Sequence, residues 1–196
     1  MDHEPLKRTI AVNTRLLMPG KLDGIGWFTF ETLRRITESH PEFRFIFLFD
    51  RKYNSKGVFS DNIIPVVLWP PTRHPLLWFF WFEFRVHRFL KKHTPDLFLS
   101  TDGFIPLRAG MPVVNVIHDI NFEHRPGDVP WLVRKYYRYF FPRFARKSTR
   151  IVTVSEYSRR DIINQYNIPE EKITLAYNGA NEQYHPMEEE QADQVR

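Results

Sequence analysis

Residues 150–179 read RIVTVSEYSRRDIINQYNIPEEKITLAYNG. The apolar run over 150–155 does not alternate hydrophobic with polar side chains. A strand with one wet face alternates, whereas a strand buried on both faces does not, and such strands belong to parallel sheets covered by helices. The run closes on Ser155, a residue type that caps helices, and a helical pattern occupies 156–168. A second apolar run follows over 172–179. Strand, helix and strand in succession make a crossover unit, which joins parallel neighbours.

The same grammar extends upstream. Strands are predicted over 8–16, 43–50, 62–69, 96–101 and 112–119, where VVNVI repeats the non-alternating pattern. Helices are predicted over 27–40, 75–95 and 130–148, the last interrupted near Pro142. The expected fold is α/β: a Rossmann-like, doubly wound parallel sheet of about seven strands. Residues 186–196 read as a linker. The helix over 75–95 is expected to bury Phe79, Phe82, Val86, Phe89 and Leu90. Trp78, Trp81 and Phe84 fall off that face, beside Arg85, Arg88, Lys91 and Lys92.

Composition narrows the function classes. With no cysteine among 196 residues, disulfides and thiolate metal sites are excluded. The start, MDHEPLKRTIAV, is charged and carries no long apolar stretch, so no secretory leader is expected. The densest apolar segment, 75–90, is broken by Glu83, Arg85, His87 and Arg88, so no spanning helix is expected there. The net charge of +5 comes from 28 basic and 23 acidic residues. Four of the acids sit in the last ten residues, so the body is more basic than the total and suits anionic partners.

In an open parallel sheet, ligands bind beyond the carboxyl ends of the strands. Gly24 and Gly26 follow strand one, and Ser100, Thr101, Asp102 and Gly103 follow strand four. His118 and Asp119 follow strand five, Ser155, Glu156 and Tyr157 follow strand six, and Asn178 and Gly179 follow strand seven. DGIGWFTFETL puts two glycines before a helix, where amides meet an anion or where the chain makes a plain turn. A dinucleotide fingerprint would need glycine at Thr29, and no Gly-Lys-Ser/Thr follows. His118 is either a proton-handling group near neutral pH or a satisfied strand-end histidine, and Asp119 suits orienting a loop or capping the next segment. His118, Asp119 and His124 form no compact metal-ligand spacing. The aromatic and basic residues over 76–92 and 133–147 fit a membrane interface or lipid-linked substrate, single-stranded nucleic acid, or a sheet-covering helix with a solvated basic side.

Taken together, four segments resemble the N-terminal, acceptor-side domain of GT-B glycosyltransferases, nearest to the retaining family 4, the glycogen synthase-like enzymes. They are NTRLLMPGKLDGIGWFTFETLRRI (13–36), VVNVIHDINFEHRP (113–126), ARKSTRIVTVSEYSRRDIINQYNIPEEKITLAYNGAN (145–181) and YHP (184–186). The resemblance implies hexosyl transfer, with mannose or glucose as family-level expectations. The donor would be a nucleotide-diphospho-sugar and the acceptor a glycan or lipid-linked glycan, with retention and without metal or bound cofactor. It implies His118 and Asp119 as catalytic residues, His118 beside the transferred sugar. It implies Gly24, Gly26, Ser155, Glu156, Ser158 and Asn178 as substrate-binding.

Domain expectations follow: residues 1–185 as the N-terminal domain and 186–196 as the start of the interdomain linker. The family's donor-binding domain, with its Glu-x7-Glu motif, is expected to be absent from this chain, which would then be inactive alone. A cytoplasmic location is expected, with peripheral contact at an anionic inner membrane face. Two other readings stand beside this one: a nucleotide-sugar epimerase of the same fold, and a non-catalytic module that docks on a membrane or partner. No nucleic-acid motif is present, and nucleic acid is not an expected partner.

Overall fold

A computed structural model describes residues 7–18, 20, 22–53 and 57–179. Seven strands form one sheet: β1 (Thr9–Asn13), β2 (Arg44–Phe49), β3 (Ile63–Val67), β4 (Leu97–Ser100), β5 (Val113–Val116), β6 (Arg150–Thr153) and β7 (Ile173–Leu175). Their order is β3-β2-β1-β4-β5-β6-β7, and every neighbouring pair is parallel. The order reverses between β1 and β4, which is the topological switch point of a doubly wound sheet. The expected boundary after residue 185 and the linker over 186–196 lie outside the described residues.

Strand β2 shows why the apolar runs do not alternate. Phe45, Phe47 and Phe49 enter a core with Val12 and Leu33, on the face covered by helix α1 (Gly24–Ser39). Ile46 and Leu48 enter the other core, with Ala11, Phe98, Trp81 and Phe144. That second face is covered by a long helical stretch and by α5 (Trp131–Lys147). The stretch runs through α2 (Pro75–Phe80), a π-helical segment (Trp81–Val86) and α3 (His87–His93). Two short connections complete the rim, α4 (Asn121–His124) and α6 (Glu156–Tyr166) with its Ser155 cap.

Several element bounds differ from the sequence reading. Strand seven was expected to reach residue 179, and β7 ends at Leu175, with a last ladder bond from the Ala176 amide to the Thr153 carbonyl. Beyond Thr153 the neighbouring chain has turned into α6, so no partner remains to extend the ladder. Helix α5 is continuous through Pro142, not interrupted there. Burial of Tyr136, Phe141, Phe144 and Ala145 outweighs the hydrogen bond that proline forfeits, and the Arg143 guanidinium donates to the Tyr139 carbonyl nearby.

The core face of the 75–93 stretch is also corrected. Trp81 is fully buried and Phe79 is exposed, the reverse of the expectation. The π-helical segment widens the turn from Trp81 onward, which rotates the buried face to Trp81, Phe82 and Val86. It also carries Glu83 inward, where its carboxylate accepts from the Leu107 amide at 2.6 Å and pairs with Arg108.

Candidate active site

Helix α1 begins at Gly24, with the Asp23 carboxylate capping the Gly26 amide at 2.8 Å. Gly26 is buried, and a Cβ there would lie 3.2 Å from the Leu16 carbonyl and 3.1 Å from Leu22. Its glycine therefore serves close packing, and its amide is already engaged. Gly24 is exposed with open space around it. It lies in the first turn, whose amides have no intrahelical acceptor.

The helix then runs beside the tips of β4 and β5. Thr29 Oγ1 meets Thr101 Oγ1 at 2.9 Å, and the Phe28 ring sits edge-on to the His118 ring at 4.7 Å between centroids. His118 Nε2 lies 2.9 Å from the Thr101 carbonyl oxygen. A carbonyl only accepts, so Nε2 carries the proton, and in the neutral form of the ring Nδ1 is the acceptor. Among the described residues Nδ1 has no protein partner. Asp119 accepts from the Asn121 amide at 3.0 Å, which fixes the turn into α4. That turn is tied further, because His124 Nε2 meets Asp161 of α6 and Tyr166 donates to Glu123 at 3.1 Å.

A cleft of about 490 Å³ opens between α1 and the segment after β7. Gly24, Trp27, Phe28 and Glu31 line one wall, and Tyr177, Asn178 and Gly179 line the other. The structure thus brings Gly24 and Asn178 together from opposite ends of the chain, with Phe28 as the shared wall between the cleft and His118. It does not bring Ser155, Glu156 or Ser158 into that lining. Ser155 Oγ accepts from the Ser158 amide at 3.0 Å, Ser158 is buried, and Glu156 pairs with Arg159 and Arg160 along α6. All three are engaged within their own helix cap and surface.

One cluster at the switch point was not read as a unit from the sequence. Arg15 Nε meets Asp102 Oδ2 at 2.6 Å, with the two side chains 7% and 2% exposed. Asp102 also accepts from Asn13 Nδ2 at 2.7 Å, from Ser100 Oγ at 3.1 Å and from the Phe104 amide at 3.2 Å. The Arg15 guanidinium lies 4.2 Å from the Phe104 ring centroid. Arg15 reaches Thr72 at 3.4 Å, and Thr72 donates twice to Asp50, which Arg51 grips with two further bonds. Burial alone would push the Asp50 carboxyl up. The bonds from Arg51 and Thr72, with the Arg51 charge, outweigh it and hold the group below the usual carboxylate range. The available signal was NTR directly after strand one and STD directly after strand four, polar runs at the tips of two neighbouring strands.

A model of glycosyltransferase family 4 matches residues 22–184. Over 110 residues the chain is 27% identical to the O-antigen chain mannosyltransferase RfbU of Salmonella typhimurium, an alignment covering 55% of this chain and 30% of that protein. HepE of Anabaena, solved with UDP and glucose, superposes with a TM-score of 0.56 at 15% identity, over 97% of this chain and 49% of HepE. The lipopolysaccharide outer core galactosyltransferase WaaB gives 0.58 at 13%, over 88% and 46%. A UDP-N-acetylglucosamine 2-epimerase also gives 0.58, at 10%, over 86% and 48%. At such identities the likeness is one of fold, that of a Rossmann-like half of a GT-B architecture. The chain spans about half the length of these solved relatives.

Proposed function

The chain belongs to glycosyltransferase family 4, and from that premise we propose that it is the acceptor-side wall of a hexosyl-transfer cleft. The donor is a nucleotide-diphospho-sugar, held chiefly by a second domain. The acceptor is the hydroxyl of a glycan or lipid-linked glycan, and transfer proceeds with retention and without a metal ion. One observation supports this reading above the rest. The tip of β5 presents a histidine with a committed Nε2 and a free Nδ1, one aromatic ring away from the cleft between Gly24 and Asn178.

In this reading His118 Nδ1 accepts from a hydroxyl of the sugar being transferred. It orients the ring carbon toward the acceptor and is not itself the nucleophile. The Thr101 carbonyl keeps the tautomer, and Phe28 keeps the ring plane. Asp119 positions the chain by accepting from the Asn121 amide in the turn into α4, which keeps His118 at the strand tip. Gly24 leaves room for the donor phosphates at the start of α1, where partial positive charge favours the leaving diphosphate. Asn178 offers an amide to a sugar hydroxyl from the opposite wall. Ser155, Glu156 and Ser158 shape the neighbouring rim through the α6 cap.

The test uses the protein together with its donor-binding half. His118→Ala should lower kcat about 10²-fold or more, the scale of a lost positioning group, while donor binding by titration weakens by no more than about tenfold, the worth of one hydrogen bond. Product analysis by NMR should show a new glycoside with the donor's anomeric configuration. Near-parental turnover in the variant would overturn the role of His118. An epimerised sugar nucleotide in place of a glycoside would overturn the transfer itself.

A further inference from the structure

The polar cluster around Arg15 and Asp50 opens into a hollow of about 300 Å³ that shares no lining residue with the Gly24–Asn178 cleft. Arg15 and Leu17 reach it from the segment after β1, and Arg51, Lys52 and Tyr53 from the segment after β2. It therefore lies beyond the carboxyl ends of two neighbouring strands, on the rim that carries His118. The two are also tied through the chain. Asp102, which holds Arg15, is the next residue after Thr101, whose carbonyl sets the His118 tautomer. The volume is at the lower end of ligand pockets and suits one sugar unit better than a whole nucleotide-sugar.

Three cations line the hollow. The Arg15 side chain is 7% exposed, with Nε on Asp102 and Nη1 on Thr72. Its Nη2 meets no acceptor among the described residues. Nor is it sealed from solvent, because the buried side-chain atoms without a partner there are Arg34 Nε and Asn115 Oδ1. Arg51 spends Nε and Nη2 on Asp50, which leaves its Nη1. Lys52 is exposed and has no ion pair among the described residues. The Asp50 carboxylate is turned inward, 1% exposed, with both oxygens bonded by Arg51 and Oδ2 also by Thr72. Arg15, Arg51 and Lys52 thus stand against Asp50 and Asp102, and one positive charge is left over. Beside them, Tyr53 stacks one face on Phe49 at 5.1 Å between centroids, and its ring is 37% exposed. Guanidinium N–H groups beside an apolar ring match a sugar that carries an oxyanion, with its C–H face on the ring and its charge on the fork.

We propose that this hollow is a subsite for a negatively charged sugar unit of the acceptor, one bearing a phosphate monoester or a carboxylate. The oxyanion is taken by Arg15 Nη2, Arg51 Nη1 and Lys52, and the sugar ring lies along Tyr53. This names the class of the acceptor, and it rests on the acceptor-side reading for its link to transfer. Binding in the hollow stands on the geometry alone and needs no turnover to be measured.

The experiment is heteronuclear NMR of the 196-residue chain, titrated in turn with glucose 6-phosphate, glucuronate, glucose and inorganic phosphate. An anionic sugar is expected to shift the amides of residues 50–53 and the Arg15 Nε–H, and to leave the Trp27 indole of the other cleft in place. A response to only one of the two anionic sugars supports the proposal and names the anion. Glucose, which lacks the charge, should bind at least about tenfold more weakly, the worth of a hydrogen bond to a charged group. Lys52→Gln should weaken binding of the anionic sugar about fivefold, and Lys52→Glu, which reverses the charge, about twenty-five-fold. Lys52 is exposed, and the unshifted remainder of the spectrum verifies that both variants are folded. Equal binding of glucose, inorganic phosphate binding as tightly as the sugars, parental affinity in Lys52→Glu, or no shift at 50–53 with any probe would each overturn the proposal. Failure here leaves the role of His118 standing, and failure of the transfer assay leaves binding in the hollow standing, so the two outcomes are told apart.

Discussion

Replacing Asp102 by alanine removes the partner of a buried guanidinium and leaves Arg15 with little in exchange. In the native arrangement Asp102 takes four bonds, from Arg15, Asn13, Ser100 and the Phe104 amide. Without it, Arg15 keeps one long hydrogen bond to Thr72 at 3.4 Å and ring contacts with Phe104 at 4.2 Å and with Trp78 and Phe82 at 5.9 and 5.8 Å, none of them an anion. Arginine cannot shed its proton to escape. Breaking a buried pair from one side costs about 3–5 kcal/mol. For a chain of this size each kcal/mol moves the melting midpoint by about 2–4 °C, so Asp102→Ala should melt about 6–20 °C lower. The reverse substitution is milder. Arg15→Met leaves a carboxylate that still has three donors, and methionine fills the space against Phe104, so a loss of about 1–3 kcal/mol is expected. Urea unfolding followed by circular dichroism measures both, with midpoints compared at equal slope. A loss under about 1 kcal/mol for Asp102→Ala, or a larger loss for Arg15→Met, would refute the reasoning about asymmetric satisfaction.

Acid stability should depend on Asp50. Its folded pKa lies below the unfolded value of about 3.9. Its stabilisation is therefore complete above that value and is lost as pH falls through the lower folded pKa. Asp50→Asn should be less stable at neutral pH and should show a flatter decline of Tm below about pH 4, and a parallel decline would count against this account. Gly103 has φ +87°, and a Cβ there would lie 3.0 Å from the Phe141 ring. Gly103→Ala should cost about 1–2 kcal/mol from the backbone alone, plus the displacement of Phe141, read as a lower urea midpoint.

The α/β class, the seven strands and their parallel sense were legible in the sequence, because burial on both faces leaves its mark on composition. VVNVI and IVTV carry that mark without reference to any other part of the chain. The Ser155 cap was legible for the same reason, since a cap is made within four residues. The end of β7 was not, because a strand stops where its neighbour stops, and the neighbour here is the start of α6. Nor was the buried face at Trp81, since a π-helical turn changes the period that sequence reasoning assumes.

The site divides along the same line. The sequence determined which chemistry stands at each strand tip: a histidine after β5, a glycine-rich entry to α1, an amide after β7. Only the tertiary structure decided what those groups can do. His118 has its tautomer set by Thr101, 17 residues away, and Arg15 meets Asp102 across a separation of 87. Gly24 and Asn178 become opposite walls of one cleft although three strands separate β1 from β7, because the segment after β7 lies against the start of α1. Local pattern is written by neighbours along the chain, whereas tautomer, charge pairing and cleft shape are written by neighbours across the sheet.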